Sequence, residues 1–206
     1  MIFEKGYIYH IYNQGNNHRK IFFNRENYLF FLKKIKTHLK PYTDILAWCL
    51  MPNHFHLMVL VQDVELVISP VDTHGVAQSH PVSKSKKRSI NNSIAIMLRS
   101  YTRAINKQEG SSGALFREGT KAECLNCRNG ITPSFLTENG ITKINIQYPE
   151  KQYPQVCFNY IHQNPVKTSL TKKETDWEFS SAIDYYGLRN GKLVNKKFAK
   201  EYGLVN

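Results

Sequence analysis

The spacing of apolar positions changes repeatedly along the chain, and each change marks an element. Gly6 to Gln14 alternates aromatic and β-branched residues, which predicts a strand. Gly15-Asn16-Asn17 then reads as a turn. Leu29, Leu32, Ile35 and Leu39 recur at helical spacing from about Arg25 to Lys40, with Asn24 placed to cap that helix and Pro41 to stop it. Thr43 to Leu50 predicts a second strand. The apolar run from Met51 to Val61, opened by the turn signal Pro52-Asn53, predicts a buried third. So short a connection between two strands makes them an antiparallel pair.

From Asp63 to Ser89 the periodicity lapses. Pro70, Pro81, the serines and the basic run Lys84-Ser85-Lys86-Lys87-Arg88 predict a long loop or partly disordered insertion. A helix follows over Ser93 to Gln108, with Ile94, Met97, Leu98, Tyr101 and Ile105 as its core stripe and Arg99, Arg103 and Lys107 along another side. After the break at Gly110 to Gly113, Ala114 to Leu125 can supply a further strand, and Asn126 to Pro149 is again loop-like. The next helix starts near Pro154 and stops at Asn164-Pro165. Trp177, Phe179, Tyr185 and Tyr186 are anchors for a C-terminal segment packed on the body. No internal repeat is present. The expectation is a single domain over 1–206, with loop insertions at 63–90 and 126–150 and a packing segment at 166–206.

Composition adds a partner class. The 206 residues are 41% hydrophobic, enough for a core, and 28 Lys and Arg against 16 Asp and Glu give a net charge of +12. Basicity on this scale favours a polyanion, nucleic acid first. The stripe Arg99, Arg103, Lys107 and the run Lys86, Lys87, Arg88 are candidate phosphate contacts, positioning a nucleic acid without reading its bases. No apolar run is long enough to span a membrane and no secretory signal opens the chain, so a cytoplasmic location is expected. Among the four cysteines, Cys49 reads as a buried thiol. Cys124-x-x-Cys127 lacks the second ligand pair of a structural zinc site and reads as incidental, with no disulfide framework.

The chemistry lies in His54-Phe55-His56. On a strand these imidazoles share one face at ~7 Å along it, a spacing at which both can meet one ion. Two core histidines bonded to backbone are the plainer alternative, and spacing alone leaves both open. Tyr160 and Asn164 are four residues apart and share a helix face. Tyrosine suits covalent phosphodiester cleavage, because a phenolate with a pKa near ~10 leaves far better than an alkoxide. A divalent cation would polarise the phosphate. His54, His56 and the Asn164 carbonyl offer neutral N and O donors suited to Mn²⁺ or Mg²⁺. Tyr101 is the rival nucleophile but falls on an apolar stripe.

Met-Pro-Asn-His54-Phe55-His56-Leu, followed downstream by Tyr160-Ile161-His162-Gln163-Asn164-Pro165-Val166-Lys167, resembles the REP-associated tyrosine transposases of the single-tyrosine HUH superfamily. Tyr12-Asn13-Gln14-Gly15-Asn16-Asn17, Leu115-Phe116-Arg117 and Trp177-Glu178-Phe179-Ser180-Ser181 support the resemblance. It implies an α+β, ferredoxin-like fold: a central antiparallel sheet carrying the HUH strand, with flanking helices and the tyrosine on a helix beside it. It further implies that His54, His56 and Asn164 hold Mg²⁺ or Mn²⁺ and that Tyr160 attacks single-stranded DNA beside a palindromic hairpin. The products would be a 5′-phosphotyrosine link and a free 3′-hydroxyl. The same resemblance implies a bacterial, nucleoid-associated endonuclease and strand transferase of DNA transposition and recombination, monomeric or homodimeric. Asn rather than Gln at the fourth residue after the tyrosine is similar to the REP-associated branch, and the two insertions depart from the pattern.

Two other readings compete. One is a catalytically silent protein that binds hairpin DNA or RNA. The other is a zinc hydrolase, which needs a third strong ligand and a carboxylate base. Asp63 and Glu65, the acids nearest the histidines in sequence, lie past the strand's end.

Overall fold

A computed structural model describes residues 1–68, 86–127 and 149–205. The chain runs β1 (Ile8–Gln14), α1 (Arg25–His38), β2 (Thr43–Met51), β3 (His54–Val61), β4 (Glu65–Ile68), β5 (Lys86–Ser89), α2 (Ile90–Gln108), β6 (Lys121–Cys124), α3 (Pro149–Lys167), α4 (Ala182–Tyr185) and α5 (Lys196–Glu201). β2, β3, β1 and β6 form one antiparallel sheet in that order, and β4 pairs with β5 in a separate ribbon. With the ribbon set aside, the order β-α-β-β-α-β and this strand arrangement give the α+β, ferredoxin-like fold. β3, which carries the two histidines, is central.

Strand alternation divides the sheet between two cores. Ile11, Leu50, Phe55, Leu57, Val59 and Val61 face α1 and α2. Ile8, Cys49, Met51, Met58 and Leu60 face the other way, where Tyr153, Cys157, Phe158 and Ile161 of α3 cover them. A bulge between Ile45 and Ala47 turns both Leu46 and Ala47 toward the α3 side.

Asn24 caps α1 as expected, accepting from Asn27 N while Asn27 Oδ1 accepts from Asn24 N. The buried face differs from the expected one, however. Tyr28, Phe31, Ile35 and Leu39 are buried, whereas Leu29 is exposed and Leu32 only partly buried. Aromatic residues set the helix rotation, because Tyr28 stacks on Phe179 at 3.9 Å and Phe31 meets Phe55 at 5.1 Å. α2 has its expected stripe, with Ile94, Met97, Tyr101 and Ile105 buried.

Other expectations are corrected. Residues 63–90 are not loop throughout, since β4 and β5 pair across them; Lys84, Ser85, His74 and His80 lie outside the described residues. The strand expected over Ala114–Leu125 is confined to Lys121–Cys124, with Phe116 bridging to Gly15. Cys124 and Cys127 form a disulfide rather than an incidental pair. α3 begins earlier than Pro154 and runs through Pro165 to Lys167. Each proline removes a single helix bond near an end. Beyond Pro165, Thr168 N donates to Asn164 O and Leu170 N to Pro165 O, closing the helix where Ser169 turns left-handed (φ 57°). The loop expected over 126–150 lies mostly outside the described residues; Asn126 is described, its Oδ1 accepting from Ile8 N.

The C-terminal segment closes the β2 edge. Leu50 N donates to Phe179 O, Ser181 N to Trp48 O and Asn195 N to Ile45 O, and Trp177 Nε1 donates to Leu50 O. Tyr185 Oη bonds Leu46 O, but Tyr186 is 64% exposed and is no anchor. A buried carboxylate fixes this segment. Asp184, 1% exposed, takes both Arg189 Nε at 2.7 Å and Nη2 at 2.8 Å and also accepts from Gly191 N. Truncating Asp184 to Ala leaves that guanidinium without its carboxylate in a half-buried place, though it keeps its bonds to Glu178 O and Ser180 O. Urea unfolding is expected to show a loss of about 3 kcal/mol, at the lower end for a broken buried pair because Arg189 keeps some solvent.

Candidate active site

The site forms at the end of the sheet where β1 finishes and β3 begins. Antiparallel register sets Gln14 opposite His54, Tyr12 opposite His56, and Met51 and Cys49 on the other flank. Cross-strand partners share a face, so both histidines project with Tyr12 and Gln14 toward α3. Phe55 points the opposite way and is wholly buried against Phe31 and Phe116. That phenylalanine pins the register, because a slip of one residue would exchange it with the imidazoles.

Gly15, directly after β1, allows the chain to turn. A Cβ there would sit 2.1 Å from Arg19 O. Asn17 and His18 then adopt positive φ, and His18 lies within bonding distance of Gln14 Nε2 at 2.9 Å and Arg117 Nη2 at 2.7 Å.

α3 delivers the remaining groups. Tyr160 and Asn164, one turn apart, reach the histidines, and Asn164 stands between them. Its Oδ1 is 3.1 Å from His54 Nε2 and its Nδ2 is 3.4 Å from His56 Nε2. The two imidazole centroids are 5.0 Å apart, and the Tyr160 ring lies 5.3 Å from His56, edge to face. Tyr160 also hydrogen-bonds Asn164, and Lys167 Nζ sits 5.2 Å from the Tyr160 ring centre. Tyr12, Asn13, Gln14, His54, His56 and Tyr160 line a cleft of about 220 Å³.

Burial keeps these groups neutral. It lowers His54, against the opposing bond to Asn164, and lowers His56 further, with His10 and His54 adding repulsion. It raises the Tyr160 phenol, with Cys157 adding to the rise and the bond to Asn164 opposing it. Neutral imidazoles are the metal-ligating form. Among the described residues no group of three or more His, Cys, Asp or Glu side chains is placed to hold a metal; the donor beside both imidazoles is the Asn164 amide. Two nitrogens and an amide oxygen converging on one point fit a divalent cation of the Mn²⁺ or Mg²⁺ kind.

All four expected site residues therefore meet in one chain. Tyr101, the rival nucleophile, is fully buried with its Oη donating to Ile21 O. Arg99 and Arg103 are exposed and line a cleft of about 400 Å³ with Arg117; this cleft adjoins the catalytic one through their shared residue Asn13. Lys107 is exposed one turn further along α2. Lys86, Lys87 and Arg88 lie in β5, toward the opposite end of β3 from His54, and Lys87 pairs with Glu65 at 3.0 Å. Two residues on the site's face escaped sequence reasoning. His10, 0% exposed, lies with its Nε2 2.9 Å from His56 Nδ1, and Glu123 pairs across from His10 and accepts from Tyr153 Oη. The signal available was alternation in β1, which sets His10, Tyr12 and Gln14 on one face.

Among the described residues no helix is long and apolar enough to cross a membrane. No family model matches the chain, and no curated protein matches it. Among solved structures the chain is similar to one described as the REP-associated tyrosine transposase bound to a REP hairpin. Identity is 16%, with 88% of this chain and 79% of that one covered, at a TM-score of 0.47. At that score the likeness decides nothing about the site's chemistry.

Proposed function

We propose that the chain is a metal-dependent, single-tyrosine transposase-like enzyme that cleaves single-stranded DNA beside a hairpin and holds the cut strand as a 5′-phosphotyrosine. The observation that carries this reading is the meeting of His54, His56, Asn164 and Tyr160 at one cleft, from two distant segments of the chain. The resemblance of both motifs to the REP-associated branch supplies the substrate class.

His54 Nε2, His56 Nε2 and Asn164 Oδ1 would hold Mg²⁺ or Mn²⁺, which supplies charge to polarise the scissile phosphate. Tyr160 Oη attacks phosphorus; the Tyr–O–P bond forms, the bond from phosphorus to the 3′ oxygen breaks, and the phenol proton ends on the departing 3′-hydroxyl. Lys167, poised over the ring, favours negative charge on the phenol as it ionises. Because the aryl ester retains the energy of the original diester, a second 3′-hydroxyl can reverse the step and join strands. Arg99, Arg103 and Lys107 track the backbone beside the cleft without reading sequence.

Labelled hairpin oligonucleotides with single-stranded flanks, incubated with the protein and Mn²⁺ or EDTA, test this reading on denaturing gels. A covalent protein–DNA band is expected with Mn²⁺ and not with EDTA. Binding without any band under either condition would instead establish a silent hairpin-binding protein.

A further inference from the structure

Each imidazole of the proposed cation site has its far nitrogen within hydrogen-bond distance of a separate side chain. His54 Nδ1 lies 2.6 Å from Asn53 Oδ1, and His56 Nδ1 lies 2.9 Å from His10 Nε2. We propose that Asn53 and His10 are positioning residues that hold His54 and His56 in the Nδ1–H tautomer, leaving both Nε2 lone pairs aimed at Asn164. The inference rests on the cation-binding reading above and deepens it.

The proton positions follow from the partners. Asn53 Nδ2 donates to His18 O at 3.4 Å, which fixes the orientation of that amide and turns its oxygen to His54. A carbonyl oxygen only accepts, so the proton at 2.6 Å belongs to His54 Nδ1. A neutral imidazole carries one ring proton, so His54 Nε2 is then bare although Asn164 Oδ1 lies 3.1 Å away.

His56 is complementary. One proton lies between two buried ring nitrogens, and it can sit on His10 or on His56. On His10 it would leave His56 carrying its own proton at Nε2, the nitrogen beside Asn164 that the proposed cation needs bare. On His56 it leaves Nε2 free. His10 can serve because it is 0% exposed and on the site's face, two residues before Tyr12, the cross-strand partner of His56. Neither residue touches the reacting phosphate; each acts through a ligand.

Long-range ¹H–¹⁵N spectra of the full chain, metal-free and at alkaline pH, read the tautomers directly. Both His54 and His56 are expected to carry the proton on Nδ1. His10→Leu, which offers no acceptor, is expected to move the His56 proton toward Nε2 and weaken Mn²⁺ binding by calorimetry roughly 10- to 100-fold. His10→Gln offers Oε1 and is expected to keep both the tautomer and Mn²⁺ affinity within a few-fold. Asn53→Ala is expected to do to His54 what His10→Leu does to His56. An Nε2–H tautomer at either histidine of the unaltered chain overturns the proposal and needs no variant to fold. So does a His10→Leu chain with tautomer and affinity unchanged. If the unaltered chain takes up no Mn²⁺, the cation-binding reading falls, while the spectra still decide the tautomers.

Discussion

Tyr160→Phe is expected to abolish the covalent DNA adduct and strand cleavage while leaving hairpin binding within a few-fold of the unaltered chain. The substitution removes one oxygen, and that oxygen is the proposed nucleophile. Loss of a nucleophile from a site whose other groups remain costs at least about 10⁴-fold in the covalent step. The fold has little reason to respond. Tyr160 is half-buried, its ring keeps its edge-to-face contact with His56, and the lost bond to Asn164 is worth about 1 kcal/mol. The proposed binding face, the basic side of α2, is untouched. Tyr101→Phe supplies the control, because Tyr101 Oη is committed to Ile21 O within the core and its loss should leave the adduct intact. Denaturing gels read the adduct and native gels the binding. A covalent band persisting in the Phe variant, or binding lost in parallel with cleavage, would sink the assignment of Tyr160.

What the sequence made legible was whatever depends on short-range period. His54-Phe55-His56 announces its two faces by alternation, and Asn24 announces a helix start by its cap, because both effects act within a few residues. Tyr160 and Asn164 share a face for the same reason. Legibility stopped where a contact depends on register or on helix rotation. Nothing near His10 marks it as a partner of His56; only the pairing of β1 with β3 places it there. Aliphatic spacing alone points the core face of α1 toward Leu29 and Leu32, whereas aromatic contacts with Phe179 and Phe55 rotate the helix away from it. Asn164-Pro165 signals a helix stop locally, yet tertiary packing of Ile161 and Phe158 holds the helix through it. Likewise Cys124 and Cys127 gave no sign of bonding, since the strand end that brings them together is not local information.

Acid is expected to unfold the metal-free protein well above the pH at which carboxylates titrate, and the cause is buried imidazole. Burial pushes His10 down to about 3 and His162 down to about 4, and lowers His56 well below its ordinary value. His162 is held within the fold by Ser181 Oγ at 2.7 Å, which also accepts from Trp48 N, so protonation there strikes the join between α3 and β2. In the unfolded chain each imidazole titrates near ~6.5. Between that value and the folded pKa the unfolded state binds more protons than the folded one, so stability rises with pH and is lost as pH falls. Stability from these groups is complete above about pH 6.5 and declines below it. Each forfeits ~1.4 kcal/mol per pH unit, so His10 and His162 together remove about 4 kcal/mol by pH 5, and His56 acts in the same direction. That loss is comparable with the ~5–15 kcal/mol that separates a typical folded domain from its unfolded chain. Urea midpoints measured from pH 7.5 to pH 4.5 should therefore fall steeply below pH 6, approaching ~3 kcal/mol per pH unit from His10 and His162. A flat profile down to pH 5 would show that these imidazoles are hydrated in solution, and would remove the burial on which the neutral, ligand-ready state of His56 depends.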